Sequence, residues 1–477
     1  MSDKYSCIIN GEQCTSDEVF KVKNPYTGEI IGEVYRPGDS EVEQAIEASV
    51  RGFEKSRKLP AYKRSELLAS AASTINKKKM ELARLLCRES GKPMKYATGE
   101  VTRAVSTLSI ASEEANRIGG EITPLDITEK AGDRLGIVRR FPIGAIAGIT
   151  PFNFPLNLVC HKVAPALAAG NTISVKPATA TPLSALTLGE IFRENNILPG
   201  LLNIIPCSSR TADKLVTDTR IKMITFTGSA EVGWKLKSRA GKKKVCLELG
   251  GNAAVIIEPD CDMETAVERS LMGGFAYSGQ VCISVQRIFV QEGVFDEFTE
   301  SFLQGVKDLT LGDPLSEKTD IGPMIDEGAA LRTEEWIKEA AEKGGKILIG
   351  GERDGNMFEP TVLTNVPAAA RVCSAEVFAP VVVLEKYTSF EDALGKVNDS
   401  AFGLQAGVFT RDIDRAFRAF NTVEVGGVII NDVPTFRVDS MPYGGVKDSG
   451  FGREGVKYTI EEMTELKLMV VNHGLDR

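Results

Sequence analysis

The chain has 477 residues, 43% hydrophobic and 26% charged, enough to bury large cores and to form two or three domains. Its 57 basic and 65 acidic residues leave a net charge of −8, which excludes a dedicated nucleic-acid binder, because phosphate backbones need a basic face. Its two histidines, His161 and His473, exclude a multi-histidine metal site and leave any Ser-His-Asp hydrolase resting on His161 alone.

In chain order, Cys7 to Glu33 reads as short strands around an Asn24-Pro25-Tyr26-Thr27-Gly28 turn. From Ser40 to about Ile118 the pattern is helical, with apolar residues three and four apart, as in Leu67, Leu68, Ala71 and Ile75. Gly119-Gly120 stops that block. Two alternating runs, Glu121–Ile127 and Asp133–Phe141, then predict a hairpin without an obvious partner among the flanking helices. Ile143–Ile149, Thr172–Lys176, Leu202–Ile205, Met223–Phe226 and Val245–Leu247 are apolar strands. Between them lie helices at Pro155–Ala169, Pro182–Asn195, Thr211–Thr217 and Ser229–Ala240. Such alternation predicts an α/β fold with a parallel sheet covered on both faces. A second series starts at Ala253–Ile257 and runs to Val428–Asn431, with Gly250-Gly251 as the hinge between the two. Thr464–Asn472 returns to a strand pattern.

The cysteine number is odd, at nine, and no C-x-x-C occurs, the pattern of a reducing compartment. The segment MSDKYSCIINGEQ lacks the apolar core of a signal peptide. The most apolar stretch, Phe141 to Val175, is broken by Pro142, Pro151, Pro155 and Pro165, so no transmembrane helix is predicted. Cytoplasmic location, with no membrane partner, is the expectation.

Gly450-Phe451-Gly452-Arg453-Glu454-Gly455 fits G-x-G-x-x-G. It lacks the preceding apolar strand and the following βαβ unit of about 30 residues that a dinucleotide fingerprint requires. A glycine-rich active-site wall or a plain loop fits it better. The better phosphate site is Thr227-Gly228-Ser229, where an apolar strand turns into a helix. Gly228 would admit a phosphate and Ser229 would bind it, although a Ser-capped βα turn has the same pattern.

Cys282 lies in Gly279-Gln280-Val281-Cys282, a loop or helix start that suits an exposed thiolate; a buried structural thiol fits equally. Glu248, between Leu247 and Leu249 at a strand end, is expected to have a raised pKa suited to a general base, unless it reaches solvent beside Gly250-Gly251. Asn153, held in Pro151-Phe152-Asn153-Phe154-Pro155, can donate to an oxyanion or simply form a turn.

Together, PFNFP, VKPA, FTGSAEVG, ELGGN, GQVC, EVFAPV, FGLQAGVFT, PYGGVKDSGFGREG and the last strand span essentially the whole chain. It resembles the aldehyde dehydrogenase superfamily, nearest to members acting on lactaldehyde, semialdehydes and, without phosphorylation, glyceraldehyde-3-phosphate. The resemblance implies two doubly wound domains and a β oligomerisation flap. These are a dinucleotide-binding domain at 1–120 and 142–250, a catalytic domain at 251–448, and the flap with its terminal strand at 121–141 and 449–477. It implies a homodimer or homotetramer and NAD or NADP as cofactor, with no metal. Cys282 would attack the aldehyde, Asn153 and the Cys282 N–H would hold the oxyanion, and Glu248 would activate water against the thioester. Lys176 and Glu376 would hold the riboses, Ser229 the pyrophosphate, and Thr150, Phe152 and Phe378 the cofactor channel. Thr179 stands where NAD-selective members carry glutamate, which predicts use of NADP beside NAD. Arg210 is expected near the adenosine end.

Phe154, Leu158, Val281, Ile283 and Phe451 are expected to line the substrate pocket. Arg103 and Arg437 stand where members acting on small anionic or hydroxylated aldehydes carry arginines, so a short polar aldehyde is the expected substrate; two ordinary salt bridges are the other reading. Val281 stands where phosphate-using members often have arginine. Two further departures are Ala379, where glycine is usual, and Cys207-Ser208-Ser209, where a glycine-rich turn is common. The competing functions are a CoA-acylating member, which would lack Glu248, and a non-catalytic protein that keeps the fold.

Overall fold

The computed structural model describes residues 3–473, so positions 474–477 of the expected flap segment lie outside it. Two sheets dominate. The first has eight strands, in the spatial order Gly450–Phe451, Lys244–Glu248, Ile221–Thr227, Ala145–Ile149, Thr172–Lys176, Leu202–Ile204, Cys7–Ile9 and Glu12–Cys14. Its five central strands are parallel, and the flanking pairings are antiparallel. The second has seven strands: Lys346–Ile349, Thr361–Thr364, Val381–Tyr387, Val285–Gln291, Ala253–Ile257, Gln405–Phe409 and Gly427–Ile430. All its pairings are parallel except the first. The central strands are buried on both faces because helices cover both, as in Thr172–Lys176, where every residue is buried although Thr172, Ser174 and Lys176 are polar.

From Ala145–Ile149 the chain winds one way to Thr172–Lys176 and Leu202–Ile204, then returns to the other side at Ile221–Thr227. That reversal opens a crevice beyond the carboxyl ends of the strands. The Asn157–Ala169 helix, which runs back from this edge, is buried along its whole length. It stops at Gly170, whose φ of +86° is the left-handed conformation that ends a helix.

The expected hairpin forms from Gly120–Pro124 and Arg134–Pro142, and its partner is the distant Thr464–Asn472 strand. One grouping differs from expectation. Gly450–Phe451 is an edge strand of the first sheet, not part of the flap, and pairs with Leu247 and Glu248. The following helix, Val456–Glu462, packs its Val456 and Ile460 into the first sheet's core. The G-x-G-x-x-G segment is therefore a sheet edge beside Glu248. Among the described residues no helix is long and apolar enough to cross a membrane.

Candidate active site

A cavity of about 580 Å³ is lined by the strand ends Thr227 and Glu248 of the first sheet and by segments that connect the second sheet's strands, among them Val281, Cys282 and Phe378. Cys282 enters it from a turn that only particular residues allow. Tyr277, Ser278 and Gly279 all have positive φ, and a Cβ on Gly279 would sit 2.0 Å from the Ala379 carbonyl oxygen. A Cβ on Gly251 would meet the Cys282 carbonyl oxygen at 2.3 Å, so the Gly-Gly link expected as a hinge is packed directly against the thiol turn. Asn153 donates from Nδ2 to the Gln280 carbonyl at 3.0 Å, which fixes its amide beside the same turn. Phe154, Leu158, Val281 and Ile283 line this cavity, as do Phe152, Phe378, Arg103 and Arg437.

Burial pushes the Cys282 thiol up to about 11, opposed by a hydrogen bond with Tyr443 and by the charge of Arg437. The Tyr443 hydroxyl is 3.1 Å from Sγ. Glu248 is 3% exposed, and among the described residues neither of its carboxylate oxygens has a hydrogen-bond partner. Burial and the nearby Glu454 hold its pKa well above the ordinary carboxylate range, as the flanking leucines predict. Glu454 itself is brought down to about 2, because Lys162, His161 and Arg437 outweigh its burial. It pairs with Lys162 at 3.0 Å and with Arg437 at 3.3 Å. Arg437 is therefore no surface residue; its side chain is 7% exposed. Arg103 pairs with Asp439 at 2.7 Å, and Asp439 also accepts from His161 Nε2 at 2.8 Å.

A second cavity, of about 420 Å³, shares Pro151, Thr227, Gly228 and Ser229 with the first. Thr150, Lys176 and Thr179 line it, so the carboxyl ends of three adjacent strands converge there. The Ser229 hydroxyl makes no helix-capping bond at the start of Ala230–Arg239 and faces an anion-favouring helix end. Glu376 accepts from the Gly251 amide at 3.1 Å, and burial raises it to about 7. Unpartnered buried polar atoms cluster around the joined space: Thr150 Oγ1, Asn153 Oδ1, both Glu248 oxygens and Thr435 Oγ1. Hydroxyls, a lysine and a helix end at one cavity, and a thiol with a carboxylate at the other, fit an extended dinucleotide reaching the reacting groups. Among the described residues no group of three or more His, Cys, Asp or Glu side chains could hold a metal ion.

Gly228 lines both cavities; its amide donates to the Glu248 carbonyl at 3.0 Å, and a side chain there would strike the Phe226 ring at 2.5 Å. Two expectations change. Phe451 lies outside the substrate cavity, under the Lys237 ammonium at 3.8 Å, because its strand turns it to the sheet's outer edge. Arg210 is exposed and does not line the adenosine-side cavity; Lys235 and Arg239 do. Ala379 packs in an apolar core, not in either cavity, and Ser208 caps the Ser209–Thr217 helix by accepting from Thr211 N at 3.1 Å. Ser209, the last residue of that second departure, lines the adenosine-side cavity. Residues missed by sequence reading are Tyr443, Glu454, Lys162, Asp439 and His161; their signal is polarity within apolar or glycine-rich segments.

A parallel α/β fold whose cleft joins a cavity at the carboxyl ends of its strands to a partly buried thiol and a buried carboxylate is the arrangement of a dinucleotide-dependent dehydrogenase. The aldehyde dehydrogenase family profile matches residues 12–469, and the chain belongs to that family. It is similar to 3-sulfolactaldehyde dehydrogenase of Priestia aryabhattai, 44% identical over 98% of both chains. Among solved structures it is similar to aldehyde dehydrogenase 21 of Physcomitrella patens in complex with the reaction product succinate, with TM-score 0.98 and 46% identity over 100% of both chains. It is also similar to the glyceraldehyde-3-phosphate dehydrogenase GapN of Methanocaldococcus jannaschii complexed with NADP, with TM-score 0.92 and 39% identity, covering 96% of this chain and 100% of that one. The protein is an enzyme that oxidises an aldehyde to the carboxylic acid with NAD(P).

Proposed function

We propose that the substrate is a short aldehyde with a monoanionic head group. The observation that carries this is the presence of Arg103 and Arg437 in the same cavity as Cys282. Each guanidinium already faces one carboxylate, Asp439 or Glu454, so a carboxylate or sulfonate is accommodated better than a dianionic phosphate. Val281 before the thiol adds no further cation. Sulfolactaldehyde, in one relative's name, carries one sulfonate, and succinate, the product in a similar structure, has one carboxylate besides the one an aldehyde oxidation would form. A panel of sulfolactaldehyde, lactaldehyde, succinate semialdehyde, glyceraldehyde-3-phosphate and a long alkanal tests the proposal. Anionic short aldehydes should lead, and Arg103→Ala should raise their KM at least about tenfold, the loss of one charge-assisted pair. Equal activity on the long alkanal, unaffected by that change, rejects it.

In this reading the Cys282 thiolate attacks the carbonyl carbon. Asn153 Nδ2, which keeps one N–H beyond its bond to Gln280, and the Cys282 amide stabilise the oxyanion. When bound, the cofactor supplies the acceptor for the aldehyde hydride. Lys176, Thr179 and Ser229 bind its adenosine half and pyrophosphate, Glu376 the nicotinamide ribose, and Thr150, Phe152 and Phe378 wall the channel. Glu248 then takes a proton from the water that cleaves the Cys282 thioester. Its presence favours hydrolysis over acyl transfer to coenzyme A, and thiol, base and amide together disfavour a non-catalytic role. The adenosine-side sheet is the dinucleotide-binding unit and the second sheet the catalytic unit. The flap joins copies of the chain into a homo-oligomer, and the protein works in the cytoplasm.

A further inference from the structure

We propose that Tyr443 is a catalytic residue, the hydrogen-bond donor that stabilises the Cys282 thiolate, and that Arg437 positions it; the inference rests on Cys282 being the nucleophile. Tyr443 is 3% exposed, and among the described residues its hydroxyl makes one hydrogen bond, to Cys282 Sγ at 3.1 Å. A thiolate only accepts, so the phenol is the donor. Burial and the adjacent thiol hold the Tyr443 pKa well above its ordinary value, so the phenol keeps its proton where the enzyme works. Tyr443, Arg437, Glu376 and Glu248 are the titratable and charged groups that act on the thiol. The two carboxylates raise it, leaving Tyr443 and Arg437 as the groups that favour its ionised form.

The ring is held from two sides. The Arg437 guanidinium lies 3.6 Å from its centroid, and the Tyr443 and Glu454 backbones exchange hydrogen bonds. Glu454 in turn binds Arg437 at 3.3 Å. Backbone bridge, ion pair and cation–π contact thus form one closed circuit around the ring. A cation over its face also draws electron density from the phenol and strengthens it as a donor.

In the attack a sulfur lone pair forms the S–C bond and the carbonyl π pair moves to oxygen. The sulfur loses its charge and becomes a weak acceptor. The Tyr443 bond therefore increases the thiolate population while holding back part of its nucleophilicity. If removal of the bond raises the thiol titration by about one unit, thiolate falls about tenfold. Nucleophilicity recovers about threefold of that, from the usual Brønsted dependence for thiols.

The test is ultraviolet titration of the thiolate in the full-length enzyme, with Cys282→Ser as the blank, together with iodoacetamide alkylation of Cys282 followed by mass spectrometry. Tyr443→Phe should move the titration upward by about one pH unit and slow alkylation near neutrality about threefold. NADP binding reports that the variant is folded. Arg437→Met should shift the titration in the same direction. An unchanged titration in Tyr443→Phe, with Cys282→Ser inactive, overturns the role of Tyr443 and leaves the nucleophile standing. Full aldehyde oxidation by Cys282→Ser overturns both.

Discussion

The two groups expected to do the chemistry, Cys282 and Glu248, both have pKa values pushed upward by burial. Each must lose a proton to act, so activity should rise with pH and fall as pH drops. Cys282→Ala should abolish aldehyde oxidation while leaving NADP binding nearly unchanged, measured by cofactor titration. Glu248→Gln separates the steps: stopped flow should show a burst of reduced cofactor and then slow turnover, because acylation precedes the hydrolysis it blocks. The absence of both burst and acyl-enzyme would remove Glu248 from the role given to it. Thr179 borders the adenosine-side cavity with Lys176. A carboxylate there would repel a 2′-phosphate by roughly 4 kcal/mol at about 4 Å and surface dielectric. Thr179→Glu should therefore lower kcat/KM for NADP much more than for NAD; an equal loss for both would reject this reading.

At the scale of elements, the Asn157–Ala169 helix depends on a buried ion pair. Glu100 accepts from the amides of Leu156 and Asn157 at 2.9 and 3.1 Å and pairs with Lys92, both side chains fully buried. The Lys92 ammonium also lies 3.8 Å from the Phe154 ring centroid and 4.6 Å from that of Tyr277. One pair thus caps the helix and props both the Asn153 turn and the thiol turn. Lys92→Met leaves a buried carboxylate uncompensated and should cost about 3–5 kcal/mol, read from denaturant unfolding. Adding Glu100→Gln should restore part of that loss. The helix itself was legible from its apolar run and its Gly170 stop. Its supports were not, because Lys92 and Glu100 precede it in chain, Lys92 in the 91–93 link between two helices and Glu100 within the Met94–Ala115 helix. The same holds for the site. Cys282, Glu248 and Asn153 stand at element ends with local signals. Tyr443 reaches Cys282 across 161 residues, and Asp439 reaches His161 across 278, separations that periodicity does not encode.

At the scale of the molecule, the flap exposes a row of large apolar side chains. Leu466, Leu468 and Val470 are 60%, 51% and 49% exposed and alternate on one face of the Thr464–Asn472 strand. One edge of that strand pairs with Arg134–Pro142; among the described residues no strand pairs with the other. A second copy of the chain is the expected cover. Leu468→Asp with Val470→Asp should reduce the mass seen by light scattering to that of one chain, and an unchanged mass would place the interface elsewhere.

The segment from Tyr443 to Phe451 serves several parts of the molecule at once. It brings a hydroxyl to Cys282, pairs Val446–Lys447 with Phe402–Gly403 and lays Gly450–Phe451 along the strand that carries Glu248. A ribosome makes it only after the thiol, the base and the cofactor cleft have all emerged. Until it docks, the thiol lacks its donor and the strand bearing Glu248 lacks its outer neighbour. A chain made only as far as the cofactor cleft therefore holds the thiol and the base without the segment that completes their surroundings.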